Sequence, residues 1–279
     1  VHRILFRIPM PFGLKPLPIA AYGTMVALGA LIGIYIAAVR AKRHGVNPNV
    51  ILDLALAVLI SGLIGARLAF FIFDDWSEFI GHGFVGALRQ FINFPSGGLS
   101  FYGALALGVP VGIVFLTLRL RKEPGTRLWH VADIAIISIA LGISFARVGC
   151  YLNGCCFGKP CPESFPLAQA YPLHQGERFS IPAEHYLDEY KDRIKQQAGW
   201  YAPDEIPPGF QWPILIYPTQ IISSLNALVL FLVLSLLYRH RRFDGQLFCI
   251  FGIWYGIARA LIEFLRADNK PTVGIFTTW

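Results

Sequence analysis

Six apolar stretches, each long enough to cross a ~30 Å hydrocarbon core, constrain this chain more than any other feature. They cover residues 19–39, 51–73, 98–118, 131–148, 213–238 and 246–266. In lipid, every backbone N–H and C=O must be paired within its own segment, so the stretches are read as helices. Composition agrees. Only 15% of the residues are charged, against about 25% in a soluble domain, and mean hydropathy is +0.53. The expected fold is an all-α polytopic membrane protein with six transmembrane helices. The opening residues Val1 to Pro9 lack the apolar core and small-residue cleavage site of a secretory signal.

A net charge of +7 would suit a nucleic-acid binder, but the basic residues are sorted by loop. Arg40, Lys42 and Arg43, then Arg119, Arg121, Lys122 and Arg127, then Arg239, Arg241 and Arg242 fall on one side of a six-span arrangement. The positive-inside rule makes that side cytoplasmic. A basic rim there favours anionic membrane lipids. Asp74, Asp75, Glu78 and the mixed-charge segment 159–212 fall on the opposite side. The expected organisation is a membrane body over 1–158 (helices one to four), an external head over 159–212, and a membrane body over 213–279 (helices five and six). Residues 74–97, rich in Phe, Gly and Trp, suit an interfacial arm or a simple loop, and 184–197 suits an amphipathic helix in the head.

Arg67, Arg147, Arg259 and Glu263 stand inside the apolar stretches. An ionised side chain at the bilayer centre costs roughly 2.5–3.5 kcal/mol on insertion scales, so each needs a partner or a polar cavity. At ~1.5 Å per residue, Arg67 and Arg147 lie ~24 Å and Arg259 ~20 Å from the cytoplasmic ends of their helices. All three therefore reach the outer half of the membrane, and Tyr22 and Tyr102 sit near the outer ends of helices one and three. On helix six, Tyr255, Arg259, Glu263 and Arg266 fall within an ~80° arc, with Glu263 placed to hold both arginines. A structural pair with Glu263 accounts for one arginine; it leaves a surplus of cations in one layer. Guanidinium groups in a low-dielectric cavity suit phosphate, whose oxygens match their planar fork. The residues alone thus point to a site for an anionic lipid phosphate.

Cys150, Cys155, Cys156 and Cys161 cluster after helix four, and Cys249 lies within helix six. The spacing C-x4-C-C-x4-C matches no zinc pattern, so a disulfide of open connectivity is preferred over a metal, and no cofactor is expected. The histidines fall in loops or at helix ends.

With these residues in view, the sequence resembles the prolipoprotein diacylglyceryl transferase family. The likeness runs through His2-x-Ile4-Leu5-Phe6-x-Ile8-Pro9, Tyr22-Gly23, Gly65-Ala66-Arg67-Leu68 and Gly97-Gly98-Leu99-Ser100-Phe101-Tyr102-Gly103. It continues in Arg147-Val148-Gly149-Cys150-Tyr151-Leu152-Asn153-Gly154, Tyr217-Pro218-Thr219-Gln220 and Tyr255-Gly256-x-x-Arg259-x-x-x-Glu263-Phe264-x-Arg266. The resemblance implies a bacterial inner-membrane transferase without cofactor. Its donor would be phosphatidylglycerol and its acceptor the cysteine thiol in the lipobox signal peptide of a prolipoprotein. A non-enzymatic binder or transporter of anionic phospholipid is the alternative. By the same resemblance Arg147, Arg259, Tyr255, Tyr22 and Tyr102 would act in catalysis. Arg67, Arg147, Asn153, Gly158, Arg259, Glu263 and Arg266 would bind substrate. Tyr102 stands where some members have histidine, and a tyrosine serves as base only with its pKa lowered. Cys150 replaces an asparagine of many members, Cys155 a glutamate of some, and Ser223 a frequent glutamate. The family normally has a seventh span, which leads us to expect an incomplete or trimmed chain, with a natural six-span variant as the alternative.

Overall fold

The computed structural model describes residues 4–8, 17–73, 91, 100–123, 125–156, 158–159, 161–162, 164–171, 214–266, 272–273 and 276–277. Among them six helices are long and apolar enough to cross a membrane. These are α1 (Ala21–Arg43), α2 (Pro48–Phe73), α3 (Phe101–Leu120), α4 (Leu128–Asn153), α5 (Thr219–Leu237) and α6 (Gln246–Glu263). Three antiparallel two-stranded ribbons accompany them: β1 (Ile4–Ile8) with β2 (Leu17–Ala20), β3 (Gln169–Tyr171) with β4 (Ile214–Ile216), and β5 (Thr272–Val273) with β6 (Phe276–Thr277). Leu31, Leu56, Leu236 and Ile253 are exposed. On a soluble monomer so much apolar surface would be a liability; on this all-α polytopic membrane protein it is the face presented to lipid.

Two boundaries differ from the sequence reading. The fifth apolar stretch opens as strand β4 rather than helix, and α5 starts only at Thr219, because Pro218 disfavours a helical Tyr217. The sixth helix ends at Glu263; the chain turns at Phe264–Leu265, and Arg266 pairs with Gly158 in an isolated antiparallel bridge. Arg266 is therefore not on the α6 face. The helix expected over 184–197 lies outside the described residues, as does the arm over 74–97 apart from Phe91, which is helical.

The chain divides into two compact units. The first comprises Val1–Gly33, Ile136–Arg242 and Gln246–Trp279, and the second Ile34–Ala135 with Phe243–Gly245. In the second unit α2 and α3 cross antiparallel along small residues. A Cβ on Gly65 would collide with the carbonyl of Gly103, and Gly108 and Gly112 lie against Gly62 and Val58 further along. Without a hydrophobic driving force in lipid, such close backbone approach supplies the packing that holds helices together. The amide of Ser100 donates to the Ala66 carbonyl at 3.0 Å, which ties the start of α3 to the same seam. At the other end of these helices Arg119 bonds Asp53 at 3.3 Å and Glu123 at 3.0 Å, while fully buried Asp133 accepts the Gly245 amide at 2.9 Å.

In the first unit α1 lies against α4. A Cβ on Gly33 would meet the Ser138 carbonyl at 3.2 Å, and one on Gly149 would meet Tyr22 and Met25 at 3.2 Å. The Ser144 and Ser224 hydroxyls bond at 3.0 Å between α4 and α5. Trp254 Nε1 donates to Asn226 Oδ1 at 3.1 Å between α6 and α5.

Candidate functional site

The site grows from the loop that follows α4. Gly154 and Cys156 both have positive φ, 72° and 61°. A left-handed cysteine is uncommon, and such backbone persists only where its surroundings hold it. Here Thr219 Oγ1 donates to the Cys156 carbonyl at 2.7 Å and Gln220 Nε2 to the Cys155 carbonyl at 2.8 Å. Thr219 and Gln220 are almost wholly buried, so the first residues of α5 staple this loop in place. Neither had been assigned a role from sequence, although the Pro-Thr-Gln motif containing them is visible there.

Gly158 sits at a crossing of three backbone segments. Its amide donates to the Tyr217 carbonyl at 3.0 Å, the Lys159 amide to the Leu265 carbonyl at 2.8 Å, and the Tyr217 amide to the Lys159 carbonyl at 3.0 Å. A Cβ at Gly158 would overlap the Tyr217 carbonyl and lie 2.9 Å from that of Leu265. Only glycine fits. The crossing fixes Arg266, which is 3% exposed, beside the post-α4 loop.

Around this scaffold the first unit gathers its charges. Arg259 and Glu263, one turn apart on α6, form an ion pair of 2.7 Å with side chains 25% and 21% exposed. Arg147, half-buried near the end of α4, interacts electrostatically with Cys150, Cys156, Tyr255 and Arg266. Arg259 does so with Arg266, Glu263, Arg147 and Tyr255. Tyr22, in the first turn of α1, feels the three cysteines and Arg147. The Tyr255 ring stacks on Phe251, with centroids 5.5 Å apart. Asn153 hydrogen-bonds the Cys155 side chain, and Tyr151 accepts a hydrogen bond from Gln169 at the start of β3. Arg147, Arg259, Arg266, Tyr22, Tyr255, Glu263, Asn153 and Gly158 thus all belong to this unit. Three guanidinium groups meet with Glu263 offsetting one of them, an arrangement that attracts an anion.

Arg67 and Tyr102 belong to the second unit. Arg67 is 1% exposed, donates from Nε to the Phe91 carbonyl at 3.2 Å, and lies 4.7 Å from the Phe71 ring centroid. Tyr102 is half-exposed and meets the Phe101 ring edge-on.

All five cysteines are free thiols. The sulfurs of Cys150, Cys155 and Cys156 lie within 4.8 Å of one another, and Cys161 does not join them. The neighbouring Cys150 and Cys155 thiols, helped by Arg266 and Arg147, hold the Cys156 thiol below its ordinary range, although burial works the other way.

Comparison with known proteins bears on the chemistry. A family model described as prolipoprotein diacylglyceryl transferase matches residues 9–278. A relative from Clostridium tetani (strain Massachusetts / E88) is 28% identical over 276 residues, covering 97% of this chain and 90% of its own. One from Bacillus velezensis is 28% identical, covering 94% and 81%, and one from Prochlorococcus marinus (strain MIT 9211) is 29% identical, covering 97% and 82%. All three are named phosphatidylglycerol--prolipoprotein diacylglyceryl transferase.

Proposed function

Because the chain belongs to the prolipoprotein diacylglyceryl transferase family, we propose that the arginine cluster of its first unit is where that family's reaction takes place. The protein is a transferase that moves the diacylglyceryl group of phosphatidylglycerol to a prolipoprotein thiol. The carbon–sulfur bond forms as the carbon–oxygen bond to phosphate breaks, and glycerol phosphate departs with the electron pair. Negative charge develops on the leaving phosphate, so preorganised cations there lower the barrier. The mutual electrostatic interaction of Arg147, Arg259 and Arg266, with Glu263 paired to Arg259, carries this reading.

In this proposal Arg147 and Arg259 bind the phosphate, Arg266 adds charge from the Gly158 crossing, and Glu263 orients Arg259. Tyr22 and Tyr255 supply hydroxyl groups beside Arg147, and Asn153 and Gly158 shape the substrate wall. For Arg67 and Tyr102, on the second unit, the family resemblance supports roles in phosphatidylglycerol binding and in catalysis. The acceptor is the cysteine of a lipobox signal peptide. The membrane is the bacterial inner membrane, with the basic loops in the cytoplasm and 159–212 outside, as the sorting of charge supports.

The test is transfer from labelled phosphatidylglycerol to a lipobox peptide, which yields a thioether-linked lipid only if the chain is the enzyme and not a lipid carrier. Lysine keeps the charge of arginine but loses its bidentate fork. Arg147→Lys and Arg259→Lys should each slow transfer ~10²–10³-fold, by analogy with removal of one oxyanion-hole donor. Folded variants with full activity would remove Arg147 and Arg259 from the site.

A further inference from the structure

We propose that Cys150, Cys155 and Cys156 form a three-thiolate zinc site whose fourth coordination position takes the incoming peptide thiol. The zinc site stands on the geometry of the loop alone; its use for the incoming thiol rests on the function proposed above. This reverses the preference for a disulfide that spacing suggests. A disulfide would engage two of three convergent sulfurs, and neighbours such as Cys155 and Cys156 seldom bond each other.

The three sulfurs lie within 4.8 Å of one another. At a Zn–S distance of ~2.3 Å, three ligands of a tetrahedron stand ~3.8 Å apart, so small side-chain rotations complete the set. The backbone is built for this convergence. Adjacent side chains on an extended segment point to opposite sides, but the left-handed turn at Cys156 brings two neighbours to the same point as Cys150 at the end of α4. The strain is held by the buried Thr219 and Gln220 bonds to the Cys156 and Cys155 carbonyls, which leave the sulfurs unencumbered by the backbone clamp.

Charge fits as well. Three thiolates around Zn²⁺ carry one net negative charge, and a fourth thiolate carries that to two. Arg147 and Arg266 interact electrostatically with this cluster. Three protein ligands with an exchangeable fourth position are the pattern of zinc sites that do chemistry.

The chemistry answers a need. A thiol attacks carbon as thiolate, and among the described residues His44, His130 and His240 lie in or beside the connections between helices. A thiol bound to zinc is deprotonated outright. The proton leaves to solvent, the zinc-bound sulfur forms the bond to carbon, and the phosphate leaves with the carbon–oxygen electron pair into the arginine cluster. The neutral thioether is a poor ligand and departs, and zinc ends unchanged.

The test uses the full chain in detergent under reducing conditions, loaded with zinc or with cobalt(II) as a spectroscopic stand-in. We expect one bound metal per chain and a sulfur-to-cobalt charge-transfer band. Both should be lost in Cys155→Ser and in Cys156→Gly, which keeps the left-handed backbone, and retained in Cys249→Ser and Cys161→Ser. Adding a lipobox peptide should shift the cobalt spectrum, and its Cys→Ser analogue should not. Metal removal should slow transfer ~10²–10⁴-fold, the range for losing proton-transfer catalysis. No bound metal after incubation, a disulfide within the cluster, or three freely alkylated thiols in the presence of zinc would each overturn the site. Full transfer by metal-free protein would sink its catalytic use while leaving the arginine mechanism standing. Conversely, metal binding with undiminished activity in Arg147→Lys would count against the arginine mechanism and not against zinc.

Discussion

Replacing Gly158 by alanine adds one methyl group at the point where three chain segments touch. That Cβ would overlap the Tyr217 carbonyl, lie 2.7 Å from the Tyr217 Cβ and 2.9 Å from the Leu265 carbonyl. Backbone surrounds it on both sides, so no side chain can rotate away. Overpacking of this kind costs ~1–3 kcal/mol. Relief requires the segments to part, which breaks the Gly158–Tyr217 and Lys159–Leu265 hydrogen bonds of 3.0 and 2.8 Å, at about 0.5–1.5 kcal/mol net for each. The total is ~2–6 kcal/mol, either as lost stability or as displacement of the segment bearing Arg266. We expect Gly158→Ala to lower both Tm in detergent and transfer, the latter ~10²-fold if Arg266 loses its place beside the leaving phosphate. Lys159→Ala is the control, because that side chain is exposed while its backbone bonds survive the change; it should behave as wild type. Wild-type Tm and rate in Gly158→Ala would refute the crossing as the support of Arg266.

Other outcomes follow from the same geometry. Gly65→Val drives a branched side chain into the Gly103 carbonyl and Leu107; it should lower Tm by separating α2 from α3, and an unchanged Tm would contradict the seam. Glu263→Gln takes the counter-charge from Arg259 in a pair whose side chains are only 25% and 21% exposed, and breaking a buried pair costs up to ~3–5 kcal/mol. If the pair only orients Arg259, the loss of transfer should come with a lowered Tm, whereas a hundredfold loss at unchanged Tm would mean that Glu263 acts on substrate directly. Gln220→Leu leaves the Cys155 carbonyl without its donor at a cost of ~1–3 kcal/mol. Alkylation of Cys155 and Cys156 in metal-free protein should then change in rate, and identical kinetics would show that the staple does not hold the loop.

The helices were legible because lipid imposes a length that any reader can count, and the arginines because a charge in that setting is costly. Register along helices was also legible: Arg259 and Glu263 at i and i+4 form the ion pair. What escaped depends on backbone geometry that periodicity does not encode. Ile214, Leu215 and Ile216 are as apolar as the helix after them, and only Pro218 marks the boundary. Arg266 sits three residues after Glu263, which reads as the same helical face, yet the chain has already turned. The approach of the three sulfurs needs left-handed backbone at Gly154 and Cys156, which follows from capture by Thr219 and Gln220 far along the chain.

The crossing at Gly158 also sets a timetable. It joins a segment made just after α4 to one made just before α5 and to another made just after α6. During synthesis the first participant must wait for about a hundred more residues before its last partner exists, at ~5–20 residues per second. Helices one to four can be in the membrane, with Arg147 in place, while the proposed phosphate site still lacks Arg259 and Arg266. Until then the nascent chain has no complete arginine cluster, and on the proposed function competence arrives late, when the segment bearing Arg266 docks against Gly158.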